Sequence, residues 1–274
     1  MNDKYRQTTR NGCPTGHLHA VEKWTIVCQE IKVSPMMSLS ASFWGSFILA
    51  LFIYGGSLAF NTILGDGDSG EAARSAFLIV PLLHGIGLFV VVSSVFGISG
   101  TGNPGLTFAF WAGQKITGFD ALLYVLGSTF GWVIASAVLL IFTPVSVMLA
   151  GIPALQADVG LFEGIFWEFI ASFAWGIALT FIVNKPVQDF TAGLGLTAGM
   201  WIAWPYTRSA LNIHRVLGPA IALLLKGNTE YWTTDIFAYL IGSPVGFLAA
   251  VFVYYFSFQL NVDHCAKSKM DTKC

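Results

Sequence analysis

Long apolar stretches constrain this chain most, because each is about as long as a membrane's hydrocarbon core is thick. A bilayer core of roughly 30 Å needs about 20 apolar residues per helix. Six stretches with few charged residues approach that length: 43–64, 76–97, 121–142, 161–183, 190–204 and 236–258. Only 11% of the 274 residues are charged, against about 25% in a typical soluble domain. The sequence therefore predicts an all-α protein that crosses the membrane six times.

Two further apolar runs, 104–113 and 213–225, are too short to span a bilayer, and each follows an asparagine. Asn is a strong helix N-cap and Pro is favoured at the first helical position, so "GNPGLTF" (102–108) is a helix start inside an apolar stretch. In lipid such a start leaves N–H groups without partners, which is tolerable where the backbone lines a water-filled cavity. Both runs are predicted to be re-entrant half-helices.

The two halves of the chain repeat one another. "FWGSF" (43–47) recurs as "FIASF" (169–173), "YVLGSTFG" (124–131) recurs as "YLIGSPVG" (239–246), and the asparagine before each half-helix recurs as Asn103 and Asn212. Each half contains three spans, an odd number, so the second half enters the membrane inverted relative to the first. The half-helices are expected to enter from opposite faces and meet near the midplane, in an hourglass.

The distribution of basic residues predicts the orientation. With both termini cytosolic, ten of the fourteen Lys and Arg residues lie on the cytosolic side, as the positive-inside rule requires. The channel domain is expected over 39–260, with repeats at about 39–145 and 160–260. Cytosolic tails are expected at 1–38 and 261–274. Either the plasma membrane or an internal membrane fits this pattern.

The predicted meeting point of the half-helices suggests a pore. Two facing helix N-termini place positive partial charge there, about half a unit each, which repels cations and hydronium. The carboxamides of Asn103 and Asn212 can donate hydrogen bonds to a passing neutral oxygen. Arg215, in the first turn of the second half-helix, is expected to line the narrowest part, to brace backbone carbonyls, or both. Glu168, within the fourth span, either holds the re-entrant loop or reaches for water from a helix end.

Other classes of protein are disfavoured. A net charge of -1 argues against a nucleic-acid partner, and no catalytic triad or phosphate-binding loop is visible, so we expect no enzyme and no cofactor. Zinc-binding residue types occur in the amino-terminal tail, but their spacing fits no zinc finger, and we expect no metal site. They are Cys13, His17, His19 and Cys28.

"GISGTGNPGLT" (97–107) and "YTRSALNIHRVLGPA" (206–220) resemble the two signatures of the major intrinsic protein family, the aquaporins and aquaglyceroporins. The similarity extends over roughly residues 40–258. It implies a homotetramer in the lipid bilayer with one pore per protomer, through which water or small neutral solutes pass. It also implies an aromatic/arginine selectivity filter, which the motif spacing carries to His84, Met200, Ser209 and Arg215.

Several residues depart from the family pattern. The first motif reads Asn103, Pro104, Gly105 where the third residue is usually Ala, and the second reads Asn212, Ile213, His214 where Pro and Ala are usual. A closed pore and a pore of altered width are both compatible with these departures. His214 either packs behind the loop or faces the pore, where it would titrate near neutral pH. The usual first-span Glu is Ser42, and Arg208 is an additional arginine beside the filter.

Three functions follow as alternatives. The first is a passive channel that excludes protons and ions and conducts water, either alone or together with glycerol, urea, ammonia or hydrogen peroxide. The second is a non-conducting structural or adhesion protein that keeps the fold, which Ile213 and His214 motivate. The third is a coupled transporter with inverted repeats, which the lack of an acidic relay beyond Glu168 weakens.

Overall fold

The computed structural model describes residues 33–64, 70–180 and 185–259. Every regular element in these ranges is helical. In chain order they are α1 Pro35–Leu64, α2 Gly70–Ser93, α3 Pro104–Ala112, α4 Gly118–Phe142, α5 Val145–Gly151, α6 Leu161–Thr180, α7 Lys185–Thr207, α8 His214–Leu225, α9 Ile236–Tyr254 and a π-helical turn Tyr255–Gln259. Residues 1–32 of the predicted tail 1–38 and all of the predicted tail 261–274, with the cysteine and histidine cluster, lie outside the described residues.

Residues 33–252 form one compact unit. The described part of the second unit, 253–259, holds the last two residues of α9 and the π-helical turn. Within the described part of the chain, α1, α2, α4, α6 and α9 are each long and apolar enough to cross a membrane. The predicted fifth span, 190–204, corresponds to α7, which has 23 residues but is less apolar than those five helices. It packs along α2 and α6. Thr197 donates to the carbonyl of Pro81 on α2 and Thr207 to Glu168 on α6, so these two polar side chains are covered by protein.

Glycine pairs let the helices of the first repeat approach closely. A Cβ added at Gly127 would lie 2.6 Å from the carbonyl oxygen of Leu39, and one at Gly131 would lie 2.5 Å from that of Phe43. The backbones of α4 and α1 therefore meet through a small-residue surface, as Gly-x-x-x-Gly spacing favours in membranes. On α1 the rings of Phe43 and Phe47 stack with centroids 6.2 Å apart.

The second repeat uses the same packing. A Cβ at Gly242 would lie 2.6 Å from the carbonyl oxygen of Ile165, and one at Gly246 would lie still closer to that of Phe169. On α6 the rings of Phe169 and Phe173 stack with centroids 6.0 Å apart. The similarity of the two halves in sequence is therefore a similarity in helix packing, α1 with α4 and α6 with α9.

Candidate pore

Two asparagines join the half-helices at their N-terminal ends. The Oδ1 of Asn103 accepts from the backbone N–H of Gly105 at 3.0 Å, and its Nδ2 donates to the carbonyl of Leu211 at 2.8 Å. The Oδ1 of Asn212 accepts from the N–H of His214 at 3.0 Å, and its Nδ2 donates to the carbonyl of Gly102 at 3.0 Å. Each side chain thus caps its own half-helix and bonds to the residue that precedes the other asparagine.

A cavity of about 200 Å³ runs beside these asparagines, enough for several water molecules. Gln188 and Asp189 lie in its wall, as do His84 and Arg215. Much of the remaining wall is apolar, from residues one helical turn apart on facing helices: Leu49 and Ile53, Leu88 and Val92, Ala192 and Leu196. The cavity therefore combines an apolar wall with polar groups at a few positions, Asn103 and Asn212 among them.

Arg215 lies in the wall of this cavity and is almost fully buried, at 2% exposure. Its Nη1 donates to the carbonyl of Ser209 and, at 3.5 Å, to that of Arg208. The backbone carbonyl of Arg215 accepts from the hydroxyl of Tyr54. The guanidinium thus contacts both the cavity and the loop backbone.

Glu168 lies behind the loop that leads into α8 and is fully buried. Its Oε1 accepts from the hydroxyl of Thr207 at 2.6 Å and from the N–H of Ala210 at 2.9 Å, and its Oε2 accepts from the N–H of Leu211 at 2.8 Å. Three donors on one carboxylate fix the loop rigidly, since hydrogen bonds to an ionised acceptor are among the strongest in proteins.

The loop held by Glu168 has an unusual backbone. Arg208, Ser209 and Leu211 have positive φ angles of 52°, 48° and 52°, a region that side chains with a Cβ adopt at a cost. At the same distances before the asparagine as Ser209 and Leu211, the first repeat has Gly100 and Gly102, with φ of 111° and 58°. Glycine adopts these angles freely, so the first loop reaches a similar conformation without a carboxylate behind it.

The four residues assigned to the filter differ in their surroundings. His84 lies in the cavity wall with Arg215, and its Nδ1 is 2.6 Å from the carbonyl of Val80. Met200 and Ser209 are fully buried and do not lie in the wall of this cavity. Met200 is one helical turn beyond Leu196, so it lies on the same face of α7 as that wall residue.

The residues that depart from the family motifs have defined environments. Pro104 is the first residue of α3, and α8 begins at His214, after Ile213, whose backbone is already helical (φ −53°, ψ −40°). The Nε2 of His214 lies 2.8 Å from the hydroxyl of Thr129 on α4. His214 is not among the cavity-lining residues, so its side chain packs behind the half-helix rather than beside the cavity.

Arg208 connects the loop before α8 to the short helix α5. Its Nη1 donates to the carbonyl of Ala150 in α5 at 3.3 Å. The same loop region is pinned by a bond from the N–H of Gln156 to the carbonyl of Tyr206, 2.9 Å long. Helix α5 was not anticipated from the sequence, because its seven residues are too few to give a clear periodic pattern.

Aromatic side chains that donate hydrogen bonds to the two loops were also not predicted from the sequence. The indole Nε1 of Trp132 donates to the carbonyl of Gly102 at 3.1 Å, and the hydroxyl of Tyr239 donates to the carbonyl of Thr207 at 2.9 Å. Tyr54 packs edge-on against Trp132 with centroids 5.6 Å apart. The sequence did contain one signal for these contacts, namely a Trp or Tyr inside an apolar span. The polar atom of such a ring needs a hydrogen-bond partner when it is buried.

A six-span inverted repeat whose two capped half-helices meet beside a cavity with polar groups at a few positions defines a class of membrane channel. The family model described as major intrinsic protein matches residues 30–254, and the chain belongs to that family. It is accordingly an integral, multi-pass membrane protein of a channel family for water or small solutes.

Individual relatives agree with this membership. The chain is 26% identical to the probable aquaporin TIP2-2 of Oryza sativa subsp. japonica over 241 residues, which covers 85% of this chain and 91% of the relative. It is 29% identical to aquaporin NIP3-1 of Zea mays over 270 residues, covering 91% and 82%. The fold matches the X-ray structure of the aquaglyceroporin from Plasmodium falciparum with a TM-score of 0.66 at 18% identity, over 81% of this chain and 96% of that one.

Proposed function

We propose that this protein is a passive channel for water and small neutral solutes that excludes protons and other cations. The observation that carries the proposal is the reciprocal bonding of Asn103 and Asn212 beside a cavity whose wall also contains Arg215. A carboxamide nitrogen has two hydrogens. One of them is committed to the opposite loop, and the other is available to a solute oxygen.

Electrostatics supports the exclusion of cations. Helix α3 begins directly after Asn103, and α8 begins two residues after Asn212, so two positive helix ends lie next to the solute pathway. The guanidinium of Arg215 adds a full positive charge in the same wall. A neutral molecule exchanges its hydration for these donors, whereas a cation loses hydration and meets repulsion.

We assign the selectivity filter to His84, Met200, Ser209 and Arg215. Arg215 and His84 contribute polar groups to the cavity wall, and the carbonyl of Ser209 holds the guanidinium in place. Met200 continues the pore-facing stripe of α7 by one turn beyond Leu196. These side chains leave no acidic group in the filter, which suits neutral solutes.

The assembly we propose is a homotetramer with both termini cytosolic. Large apolar side chains such as Phe130 and Phe166 are more than half exposed on the outer faces of the helices. Such faces require lipid or a neighbouring protomer to cover them. The inverted repeat and the distribution of Lys and Arg support the orientation.

Stopped-flow light scattering on proteoliposomes tests the function. We expect vesicles with the purified protein to shrink at least fivefold faster than empty vesicles in an osmotic gradient, while an entrapped pH dye reports no added proton flux. Parallel glycerol and urea gradients rank the solutes. Proteoliposomes no more permeable than empty vesicles would contradict the proposal and favour the non-conducting alternative.

A further inference from the structure

Phe96 is an aromatic residue in the wall of the cavity that the filter assignment does not include. It follows the end of α2, and its N–H donates to the carbonyl of Val91 at 3.0 Å, so the turn that carries it is fixed to that helix. Val91 follows His84 by seven residues, so Phe96 lies about 10 Å from the filter histidine along the axis of α2. Phe96 is 9% exposed, and the cavity is the open space that it borders.

Three glycines surround the ring of Phe96. A Cβ added at Gly45 on α1 would lie 2.7 Å from Cδ1 of the ring and still closer to Cε1, and one at Gly102 would lie 2.5 Å from Cζ. A Cβ at Gly100 would lie 3.4 Å from Cδ1. Backbone therefore lies against several edges of the ring, and the cavity is on its open side.

The loop beside the ring is itself fixed in place. The carbonyl of Gly102 accepts from Nδ2 of Asn212 at 3.0 Å and from Nε1 of Trp132 at 3.1 Å. Gly100 and Gly102 have positive φ angles of 111° and 58°, which glycine adopts without strain. Because this loop cannot move away from the ring, the position of Phe96 determines how much of the cavity is open beside it.

The ring of Phe96 affects solutes through its bulk. It has no polar atom, and Leu49, one turn beyond Gly45 on α1, is an apolar residue in the same wall. A solute beside this ring gains no hydrogen bond in exchange for lost hydration, and a solute with more polar groups loses more. Since the whole cavity measures about 200 Å³, one aromatic ring in its wall is a large fraction of the space available.

We propose that Phe96 is a second residue that sets the width of the solute pathway, in series with the filter at His84 and Arg215. It selects by size, because its ring lets water pass and slows bulkier neutral solutes such as glycerol and urea. Two narrow points in series both limit the flux, so a change at either one alters permeability. The inference rests on the proposed channel function and adds a size-selecting position at a different depth, whose ring fits only because residue 45 is glycine.

Two substitutions change the width in opposite directions. Phe96→Leu removes the ring but keeps an apolar side chain, so the ratio of glycerol to water permeability is expected to rise at least threefold. Gly45→Ala places a methyl group where the edge of the ring now lies. The ring is the flexible partner in this clash and shifts towards the cavity, so water permeability is expected to fall at least twofold and glycerol permeability by more.

Phe130→Leu and Gly87→Ala are the matched controls. Phe130 is 58% exposed on the outer surface. A Cβ at Gly87 would lie 3.0 Å from the Cβ of Phe52, which is 46% exposed on the outer surface and lies outside the cavity wall. Both controls should transport solutes like the parent. A glycerol-to-water ratio in Phe96→Leu equal to that in Phe130→Leu overturns the proposal, and so does a water permeability in Gly45→Ala equal to that in Gly87→Ala.

Thiol labelling of the full chain in liposomes gives a readout independent of transport. In a background where the four native cysteines are replaced by serine, Phe96→Cys is expected to react with methyl methanethiosulfonate at least tenfold faster than Phe130→Cys. The reactive thiolate forms where water reaches the sulfur and not against lipid. A parent that conducts nothing while Phe96→Cys is labelled refutes the channel function alone. A conducting parent whose Phe96→Cys variant reacts no faster than Phe130→Cys refutes the place of Phe96 in the solute pathway.

Discussion

Ser42 and Glu168 occupy corresponding positions in the two repeats. A Cβ added at Gly127 would lie 2.9 Å from the Cβ of Ser42, and one at Gly242 would lie 2.7 Å from the Cβ of Glu168. Only the second position carries a carboxylate that accepts from the adjacent loop. The two re-entrant loops are therefore stabilised differently. In the second repeat the carboxylate of Glu168 accepts hydrogen bonds from the loop, whereas in the first repeat glycines adopt the positive φ angles without such a partner.

Replacing Glu168 by Gln is expected to destabilise the protein by about 2–4 kcal/mol. The amide keeps one oxygen but turns an N–H₂ towards a backbone donor, so at least one buried N–H loses its acceptor. The loop at 208–211 then loses the contacts that hold its positive φ angles. Thermal unfolding in detergent measures the loss, and water permeability should fall with it.

Ser42→Ala is the matched control in the other repeat. The Oγ of Ser42 is buried and has no hydrogen-bond partner among the described residues, so its removal should change stability by less than about 1 kcal/mol. Ser42→Glu should not restore a brace, because a Cβ at Gly100 would already lie 2.6 Å from the Oγ of Ser42. Equal losses in Glu168→Gln and Ser42→Ala would show that Glu168 is not a brace.

Replacing Asn212 by Asp is expected to weaken both the junction and cation exclusion. The carboxylate would face the carbonyl of Gly102 where the amide now donates, at a cost of about 2 kcal/mol. A negative charge beside the pathway would also offset the positive helix ends, so cation conductance should rise in liposome flux assays. Asn103→Asp should have the same effects, because the Nδ2 of Asn103 donates to the carbonyl of Leu211 just as that of Asn212 donates to the carbonyl of Gly102.

Asn228→Asp is the control for that substitution. Asn228 lies outside the cavity wall, and its Oδ1 accepts from the N–H of Glu230 at 3.1 Å, a role that a carboxylate also fills. It should leave stability and ion flux unchanged. If Asn103→Asp and Asn212→Asp show no more cation conductance than Asn228→Asp, the proposed origin of cation exclusion is wrong.

Replacing Gly131 or Gly246 by Ala tests whether the repeats are packed equivalently. Each new methyl would collide with a backbone carbonyl of the neighbouring helix, that of Phe43 or of Phe169, and overpacking of this kind costs about 1–3 kcal/mol. Thermal unfolding should show similar losses for both. Gly55→Ala, where nothing lies within 4 Å of the new Cβ, should instead stabilise by about 0.5–1 kcal/mol.

The sequence predicted those parts of the fold that depend on local pattern. The half-helices and their asparagine caps follow from Asn103 and Asn212, since capping chemistry and the length of an apolar run are local properties. The inverted repeat was predicted from segments that recur in the two halves of the chain. The resemblance to the family implied the same architecture. The described structure agrees with this all-helical fold.

Contacts between distant segments could not be predicted in the same way. The environment of His214 depends on Thr129, 85 residues away, and that of Phe96 depends on a glycine in α1. Nothing in the local pattern distinguishes a phenylalanine in a cavity wall from one on the outer surface. Helix α7 was the weakest of the six spans by composition, because its polar residues have their partners or surroundings elsewhere in the fold: Thr197 and Thr207 bond to α2 and α6, and Gln188 and Asp189 lie in the cavity wall.

Arg208→Gly should change solute selectivity without lowering stability. The residue has a φ of 52°, so glycine relieves backbone strain worth about 1 kcal/mol. The side chain that bonds to Ala150 is lost, however, and the carbonyl of Arg208 that accepts from Arg215 is then anchored less firmly. We expect unchanged or higher thermal stability, and at least a twofold rise in urea permeability relative to water in proteoliposomes.

Gln114→Gly provides the comparison, because Gln114 has a φ of 56°, is exposed and lies outside the cavity wall. The Gln114→Gly variant should be relieved of the same strain from a positive φ angle, with no change in selectivity. If the ratio of urea to water permeability is identical in the two variants, Arg208 does not position the filter.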